Sequence, residues 1–273
     1  MTQAKTALIT GSTDGLGRHV ALRVAEAGFE VLVHGRDRQR GLAVVDEIAS
    51  AGGSAQFLEA DFASLEQVRR LADSVMGGHA RLALLINNAG IGTGGRGDTR
   101  ATSVDGYELR FAVNYLAGFL LTSRLLPLLS GNAPARIVNV ASAGQYPLDF
   151  DNVMLTRAYS GMRSYAQSKL AQVMFTFDVA RRLAGSGVVV NCLHPASYMD
   201  THMVREAGAT PVSTVEQGAQ AVLQLALSAQ LRSLSGLYFN GAQEARAHEQ
   251  AYDEGARARL MALSRELVGL GPE

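Results

Sequence analysis

The strongest constraint on the fold is the alternation of seven short, mostly apolar segments with longer helical patterns along the chain. The predicted strands are residues 5–10, 30–34, 55–60, 81–86, 136–141, 188–193 and 236–240. Most are continuously apolar, which is typical of strands buried on both faces of a parallel sheet. The alternation predicts one doubly wound α/β domain over residues 1–273, with a seven-stranded parallel sheet and helices on both faces.

The composition limits which binding partners and which cellular compartment we expect. The chain has 25 basic and 25 acidic residues and no formal net charge, so we expect no nucleic acid partner. Its single cysteine, Cys192, lies in an apolar strand and cannot form an internal disulfide. We interpret Cys192 as a small buried residue in a reducing compartment.

No segment is typical of a secretion signal or a membrane anchor. The start of the chain lacks the basic stretch, apolar run and cleavage site of a signal peptide. The most apolar region, residues 111–129, contains Asn114, Arg124 and Pro127, whereas a membrane span needs about 20 predominantly apolar residues. We therefore expect a buried helix there, no integral membrane segment and a cytoplasmic location.

In a doubly wound sheet, ligands bind beyond the carboxyl ends of the strands, where the strand order reverses. The turn after the first strand, "TGSTDGLG", spaces its glycines as G-x-x-x-G-x-G. Glycines let the backbone turn tightly and approach a pyrophosphate, which binds the N–H groups at the start of the next helix. The candidate cofactor-binding residues of this turn are Gly11, Ser12, Asp14, Gly15, Leu16 and Gly17.

The residues after the second and third strands are candidates for binding the adenosine half of such a cofactor. A carboxylate after the second strand would bind the ribose of NAD, but this chain has Gly35 followed by Arg36. A guanidinium can hold a 2′-phosphate in a bidentate manner, which favours NADP over NAD; the alternative is a solvated charge at a helix start. Asp61 is a candidate partner of the adenine amine or a helix cap, although Ser64 suits the cap better.

Small or polar residues follow the remaining strands as well. Phe62 and Asn88, the latter in "NNAG" after the fourth strand, complete the candidate cofactor-binding residues of this half of the chain. Ser142 follows the fifth strand and "HPASYMDT" follows the sixth. We interpret His194 as structural. Since no second ligand stands at metal-binding spacing near it, we expect no metal.

The segment "YSGMRSYAQSKL" contains two tyrosines, each with a cation four residues later: Tyr159 with Arg163, and Tyr165 with Lys169. A nearby cation favours the phenolate, whose parent phenol has an ordinary pKa near 10. The tyrosines are six residues apart, or about 240° around one helix, so both cannot face the same cleft. Local electrostatics alone does not choose between them.

The set "TGSTDGLG", "NNAG", Asn114, Ser142 and "YAQSK" closely resembles the short-chain dehydrogenase/reductase family over nearly the whole chain. The stretches "DGYELRFAVNYLAGFLLT" and "YAQSKLAQVMFT" look most like its retinol-dehydrogenase and protochlorophyllide-reductase-like branch. The resemblance implies a Rossmann-type fold. It also places the family's tyrosine–x–x–x–lysine pair on Tyr165 and Lys169, which selects Tyr165 over Tyr159.

The resemblance implies a role for each of four catalytic residues. Tyr165 would exchange a proton with the carbonyl oxygen, and Ser142 would hydrogen-bond the same oxygen, where negative charge develops. Lys169 would lower the pKa of the tyrosine and hold the nicotinamide ribose. Asn114 would hold a water that connects Lys169 to solvent; the alternative is an ordinary amide on a helix face.

The chain departs from the family pattern in two places. It has Pro195-Ala196 where Pro-Gly is common, and Thr201, a candidate ligand of the nicotinamide, stands one place later than usual. We expect residues 194–215 to form a substrate loop. Residues 143–160 are expected to roof the substrate pocket, or else to form a surface excursion packed on its own side chains.

These observations predict an NADP(H)-dependent oxidoreductase that acts on a ketone, aldehyde or alcohol of a fairly apolar small molecule. The rival is a catalytically silent NADP-sensing protein of the same fold, which should lack the tyrosine or the lysine. A sugar-nucleotide epimerase or dehydratase should be longer, with another glycine spacing. Because the helices predicted at 105–130 and 159–184 are strongly apolar and often pair between subunits in the family, we expect a homodimer or homotetramer, although a long segment before the tyrosine can block that pairing.

Overall fold

The computed structural model describes residues 5–95 and 97–271; residues 1–4, 96 and 272–273 of the predicted domain lie outside the described part. Its sheet has the order β3-β2-β1-β4-β5-β6-β7-β8. The strands are β1 (Lys5–Ile9), β2 (Phe29–Gly35), β3 (Ser54–Glu59), β4 (Leu84–Asn87), β5 (Ala135–Val140), β6 (Val188–His194), β7 (Tyr238–Asn240) and β8 (Gln243–Ala245). The order reverses between β1 and β4, which places the ligand cleft at their carboxyl ends.

The predicted α/β doubly wound, Rossmann-type domain is confirmed, and the sheet has one strand more than the sequence predicted. β1 to β7 pair in parallel, whereas β8 pairs with β7 in the antiparallel direction. A two-residue turn makes this reversal, and its first residue, Gly241, has a φ of 60°. The extra strand is only three residues long, and its side chains do not alternate between apolar and polar.

Helices cover both faces of the sheet. One layer contains α1 (Gly15–Glu26), α2 (Arg38–Ser50) and α7 (Val215–Leu227); the other contains α3 (Leu65–Gly78), α4 (Ala117–Ser130) and α5 (Gly161–Arg182). The short α6 is His202–Glu206, and α8 is Glu254–Leu267. Ser64 caps α3 by accepting from the amide of Gln67, as predicted, and Gly28 (φ 85°) ends α1.

The fourth and the last predicted strands begin later in the structure than the sequence predicted, because an apolar segment can be buried without pairing as a strand. The fourth strand pairs only from Leu84 onward, although Leu82 before it is fully buried. The last predicted strand pairs from Tyr238, since Gly236 has a φ of 79° that a strand does not accommodate. In both cases the hydrogen-bonded ladder begins inside the predicted apolar run.

The predicted helix over 105–130 begins at Phe111. Its first turn, Phe111–Leu116, is π-helical, and α4 follows it without a break. Among the described residues this helix alone is long and apolar enough to cross a membrane, with a mean hydropathy of 1.4. Most of it is buried in the core beside α3 and α5, which confirms the prediction of a buried helix.

The C-terminal segment, residues 243–271, covers the outer side of α5 and of the π-helical turn. The Tyr115 hydroxyl is 2.7 Å from Oγ of Ser264, and the rings of Phe177 and Tyr252 stack at 5.3 Å. Between the sheet, the π-helical turn and this segment, 15 of the 22 residues of α5 are buried. The apolar surface that suggested a homodimer or homotetramer is thus largely covered within one chain, and the oligomer stays a prediction.

Candidate active site

In the glycine-rich turn between β1 and α1, the backbone folds back close to itself. Gly11 and Gly15 have φ angles of 62° and 51°, in the left-handed region that glycine adopts without strain. A methyl group placed on Gly17 would lie 2.1 Å from the carbonyl oxygen of Gly11. The turn therefore requires glycine for its own geometry and leaves the start of α1 open to a phosphate.

Residues after β4 hold this turn in place. Asn88 donates through Nδ2 to the carbonyl oxygens of Thr10 (2.9 Å) and Gly11 (3.0 Å). Oγ1 of Thr10 in turn accepts from the amides of Asn88 (2.9 Å) and Ala89 (3.0 Å). Asn88 thus acts on the dinucleotide site by fixing the turn, and Thr10, which the sequence analysis did not single out, completes the link.

The other predicted ligands of the turn use their side chains inside the fold. The Ser12 hydroxyl is fully buried, donates to the carbonyl of Ile9 at 2.7 Å and accepts from the amide of His34 at 3.0 Å. Leu16 packs in the core beside α1, and Asp14 caps α1 at the amide of Gly15. Direct contact of Ser12 or Leu16 with a cofactor stays a prediction, and it would have to come from their backbone.

Arg36 is exposed at the carboxyl end of β2, and among the described residues it forms no ion pair. The next two arginines along the chain both form ion pairs: Arg38 pairs with Glu59 at 3.5 Å, and Arg40 pairs with Asp14 and Asp37. A methyl group on Gly35 would lie 2.5 Å from Cγ2 of Thr13. Glycine at 35 therefore makes room for Thr13 and leaves Arg36 as the available cation.

Asp61 and Phe62 lie beyond β3 at the adenosine end of the cleft. Oδ1 of Asp61 accepts from the amide of Ala63 at 2.9 Å, and Ser64, not Asp61, caps α3. The buried ring of Phe62 stacks on the ring of His34 at 4.4 Å. Contact of Asp61 with the adenine amine stays a prediction, as does contact of the cofactor with Phe62, which packs in the core.

Ser142 and Tyr165 meet at the carboxyl end of β5. Ser142 is buried and Tyr165 is half-buried on the first turns of α5, which Ser160 caps. Burial raises the pKa of Tyr165, and a side-chain hydrogen bond with Ser142 works against this rise. The pair predicted from the sequence is therefore brought together, with the phenol held in its protonated form by the protein alone.

Lys169 lies one turn further along α5 and is buried. Its Nζ donates to the carbonyl of Val140 and to Oε1 of Gln172, both at 2.9 Å, and lies 5.7 Å from the ring centroid of Tyr165. Burial lowers the pKa of Lys169 to about 7. Gln172 was missed by the sequence analysis; its position on the lysine's own helix, three residues on, was the available signal.

Asn114 lies in the π-helical turn and holds the loop after β4. Its Oδ1 accepts from the amide of Ile91 at 2.7 Å, and its Nδ2 donates to the carbonyl of Ile91 and to Oγ of Ser168. Gly90 separates it from Lys169, since a methyl there would lie 3.2 Å from Oδ1 of Asn114 and 3.6 Å from Nζ. Asn114 is thus more than a helix-face amide, and its link to Lys169 through water stays a prediction.

Tyr159 lies before the Ser160 cap, outside the helix predicted to contain it. Its hydroxyl accepts from Arg110 and donates to Asp98 at 3.2 Å. Arg163 points elsewhere and pairs with Asp149 at 3.3 Å. Burial raises the pKa of Tyr159 to about 12, and Arg110 opposes that rise. The second tyrosine–cation pair of the sequence therefore does not form.

Thr201 and His194 belong to the predicted substrate loop, residues 194–215. Thr201 caps α6 by accepting from the amide of Val204, and its methyl would lie 3.5 Å from a methyl placed on Gly15. It therefore closes over the glycine-rich turn. Nε2 of His194 is 3.0 Å from Oγ of Ser197, as expected of a structural histidine.

The predicted roof, residues 143–160, packs on the core through Leu148 and Val153, and its Leu155 is fully buried. Arg110, another residue missed by the sequence analysis, ties it to the loop after β4 by binding Tyr159, Asp98 at 2.7 Å and the carbonyl of Gly92 at 2.6 Å. An arginine directly before a long apolar helix was the available signal. Whether the segment roofs the pocket stays a prediction.

The chain is similar in sequence to known proteins over most of its length. The family model described as short chain dehydrogenase matches residues 5–211. Human retinol dehydrogenase 13 is 36% identical over 286 residues, which cover 97% of this chain and 85% of that protein.

Two solved structures extend the match to three dimensions. An uncharacterized protein from Mycobacterium paratuberculosis superposes with a TM-score of 0.80 at 30% identity, over 98% of this chain and 95% of the other. A short chain dehydrogenase from Burkholderia cenocepacia, solved in complex with NADP, superposes with a TM-score of 0.72 at 28% identity, over 87% and 96% of the two chains.

Replacing Tyr165 and Tyr159 separately tests which phenol is catalytic. Tyr165→Phe removes the proton donor with little change in volume, and we expect turnover to fall by about 10²- to 10⁴-fold while the dinucleotide still binds. Tyr159→Phe should leave the chemical step nearly unchanged, because its hydroxyl bonds only Arg110 and Asp98. Steady-state rates and dinucleotide titrations of both variants provide the measurement. Losses in the opposite order would show that Tyr159 is the donor.

The buried Lys169 should also make stability depend on pH. Its ordinary pKa of 10.5 applies to the unfolded chain, whereas the folded value is about 7. Between these values the unfolded chain binds more protons, so this lysine's contribution to the free energy of unfolding rises with pH. The destabilisation caused by burying the charged amine is therefore largest below pH 7 and disappears as the pH approaches about 10.

Urea denaturation of the wild type and Lys169→Met from pH 6 to pH 9, without dinucleotide, measures this effect. The wild type should gain stability relative to the variant as the pH rises. Lys5→Met is the matched control, since Lys5 is the only other lysine of the sequence and is exposed. Parallel curves for the wild type and Lys169→Met would contradict the lowered pKa.

Proposed function

The chain belongs to the short-chain dehydrogenase family, in its retinol-dehydrogenase-like branch, and on that premise we propose that it is an NADP(H)-dependent carbonyl reductase or alcohol dehydrogenase acting on a fairly apolar small molecule. As a family member it is an oxidoreductase acting on CH–OH and C=O groups. The cofactor preference, the substrate and a cytoplasmic location are parts of the proposal.

The observation that carries the proposal is the convergence of Ser142, Tyr165 and the buried Lys169 at the carboxyl end of β5, with Nζ 5.7 Å from the tyrosine ring and 2.9 Å from the carbonyl of Val140. A neutral phenol and a hydroxyl that converge beside a buried amine can protonate a carbonyl oxygen and stabilise its developing charge. The glycine-rich turn opens the start of α1 beside the same cleft. Both requirements of hydride transfer, a dinucleotide cradle and a proton donor, are therefore met at one edge of the sheet.

The residues fit a nicotinamide dinucleotide, because the backbone of the turn around Gly11, Gly15 and Gly17 has no side chain that would exclude a pyrophosphate. When bound, the dinucleotide supplies or accepts the hydride. Lys169 would hold its ribose with the N–H that is not bound to Val140 or Gln172.

In the reductive direction, Tyr165 gives its phenolic proton to the carbonyl oxygen as the carbonyl carbon receives the hydride. Ser142 donates to the same oxygen and so stabilises the charge that builds there. In the oxidative direction the tyrosine takes the hydroxyl proton back, and a charged Lys169 favours the phenolate that accepts it. Asn114 keeps the loop at Ile91 in place beside these groups.

A fairly apolar substrate is supported by the side chains that the two loops leave exposed. Tyr146 and Met162 lie at the predicted roof and the start of α5, and Tyr198 and Val212 lie on the substrate loop; these four are between 46% and 70% exposed. A relative named retinol dehydrogenase supports testing retinal among the first substrates.

The rival function, a catalytically silent NADP-binding protein, is less well supported because Ser142, Tyr165 and Lys169 are all present and assembled. Loss of NADPH absorbance with retinal, steroid ketones, aromatic polyketide ketones and simple aldehydes distinguishes the two. We expect turnover that Tyr165→Phe removes. NADPH binding with no turnover of any of these substrates would favour the silent protein.

The proposed preference for NADP rests on Arg36, which is free of ion pairs within the described part of the chain. A charge-assisted hydrogen bond to the 2′-phosphate is worth about 1.5–3 kcal/mol, or about 10- to 150-fold in affinity. Arg36→Ala should weaken NADPH binding by that factor and leave NADH binding nearly unchanged. Arg38→Ala is the control, since Arg38 is engaged with Glu59.

Calorimetric titration of both dinucleotides into the three proteins provides the measurement. Equal losses for NADPH and NADH in Arg36→Ala, or a wild type that prefers NADH, would exclude this role for Arg36.

A further inference from the structure

Two hydrogen-bond donors converge on the main-chain carbonyl oxygen of Ser142. Nε2 of Gln145 lies 2.9 Å from it, and the hydroxyl of Tyr238 lies 3.2 Å from it. Tyr238 and Ser142 are only 4% and 8% exposed, so solvent does not compete freely for these bonds. The mechanism above uses the hydroxyl of Ser142 alone and gives neither donor a role.

The position of that hydroxyl depends on the same stretch of backbone. Oγ of Ser142 accepts from the amide of Gly144 at 3.0 Å and hydrogen-bonds Tyr165. If the carbonyl is released, the turn that follows Ser142 can shift, and the amide of Gly144 that holds Oγ shifts with it. A misplacement of about 1 Å in a catalytic group can cost about 10²-fold in rate. Fixing the carbonyl therefore fixes the catalytic hydroxyl.

Both donors are held by the C-terminal segment, Tyr238 through its pairing with Ala245 of β8. Oε1 of Gln145 accepts from the amide of His248 at 2.8 Å. Two residues further on, Gln250 accepts from the amide of Leu148 at 2.7 Å and donates to its carbonyl at 3.1 Å. The segment after the catalytic serine is thus bonded to residues about a hundred positions later in the chain, through the side chain of Gln145 and the backbone of Leu148.

Tyr238 is well suited to a permanent donor role. It lies on β7, paired with Cys192 of β6, so the sheet fixes its backbone. Burial raises the pKa of Tyr238 to about 12, and its hydroxyl therefore keeps its proton throughout the usual assay range. Both Tyr238 and the C-terminal segment lie beyond residue 211, where the match to the family model ends.

We propose that Tyr238 and Gln145 are positioning residues that hold the catalytic Ser142 through its main-chain carbonyl, and that residues 245–250 hold them in turn. This inference rests on the proposed function in one respect: it takes the Ser142 hydroxyl as the group that stabilises the reacting oxygen. Tyr238 and Gln145 themselves contact neither substrate nor dinucleotide.

Tyr238→Phe tests the proposal by removing one hydroxyl. A neutral hydrogen bond contributes about 0.5–1.5 kcal/mol, so kcat should fall by about 3- to 10-fold, with dinucleotide affinity unchanged. Gln145→Leu should lower kcat to a similar extent, and the double variant should lose more than either single one. Unchanged kcat in both single variants would overturn the proposal.

Tyr107→Phe is the matched control. It too removes a phenolic hydroxyl that holds the C-terminal segment, since the hydroxyl of Tyr107 donates to the carbonyl of Leu267 at 2.7 Å and not to Ser142. We expect a similar loss of stability with kcat unchanged. An equal loss of kcat in Tyr107→Phe would mean that general loosening of the segment, and not the bond to Ser142, causes the effect.

Combining Tyr238→Phe with Ser142→Ala separates positioning from a purely structural role. If Tyr238 acts through the Ser142 hydroxyl, its replacement should have no further effect on kcat once that hydroxyl is gone. The same 3- to 10-fold loss in the Ser142→Ala background would overturn the proposal.

Amide hydrogen exchange provides a readout that does not need turnover. Tyr238→Phe should speed exchange in the peptide covering residues 140–146, whereas Tyr107→Phe should not. Unchanged exchange in Tyr238→Phe would overturn the positioning role whatever the activity shows. A wild type without turnover would instead overturn the proposed function, and the exchange data would still decide whether Tyr238 holds Ser142.

Discussion

The hydrogen bonds that join the turn after β1 to the loop after β4 are the constraint on which the rest of the site depends. Asn88 binds the carbonyls of Thr10 and Gly11, and a methyl on Gly11 would lie 2.8 Å from Cα of Ala89. These two segments flank the point where the strand order reverses. Because they lie in contact, the cleft beyond them is a fixed cradle, and Asn114 can secure the next residues of the same loop.

Burial shifts the pKa values of the two central titratable groups of the site so that both favour the neutral form. It raises the pKa of Tyr165 and lowers that of Lys169, so both groups are shifted toward their neutral forms. A protonated phenol is what carbonyl reduction needs at the start of the reaction. The lower pKa that the family resemblance implied for Tyr165 does not arise from the protein alone. It would require a charged Lys169 together with the positive charge of an oxidised nicotinamide.

The C-terminal segment links two features that the sequence presents separately. It covers α5, which therefore buries its apolar side within the chain, and it holds the backbone beside Ser142 through Gln145 and Gln250. The helix that carries Tyr165 and the loop that carries Ser142 consequently share one support. This arrangement gives residues beyond the family match a direct mechanical connection to the catalytic hydroxyl.

Features that depend on short-range patterns of residues could be predicted before the fold was known. Continuous apolar runs predicted the seven parallel strands, glycine spacing predicted the cradle, and the four-residue spacing of Tyr165 and Lys169 put them on one face of a helix. The choice of Tyr165 over Tyr159 needed the family resemblance. The long-range contacts of the site became visible only in the folded structure. Arg110 hydrogen-bonds Tyr159, 49 positions away, and Tyr238 hydrogen-bonds the carbonyl of Ser142, 96 positions away. The physical reason is that such contacts depend on how distant segments pack, and no local spacing of residues encodes that packing.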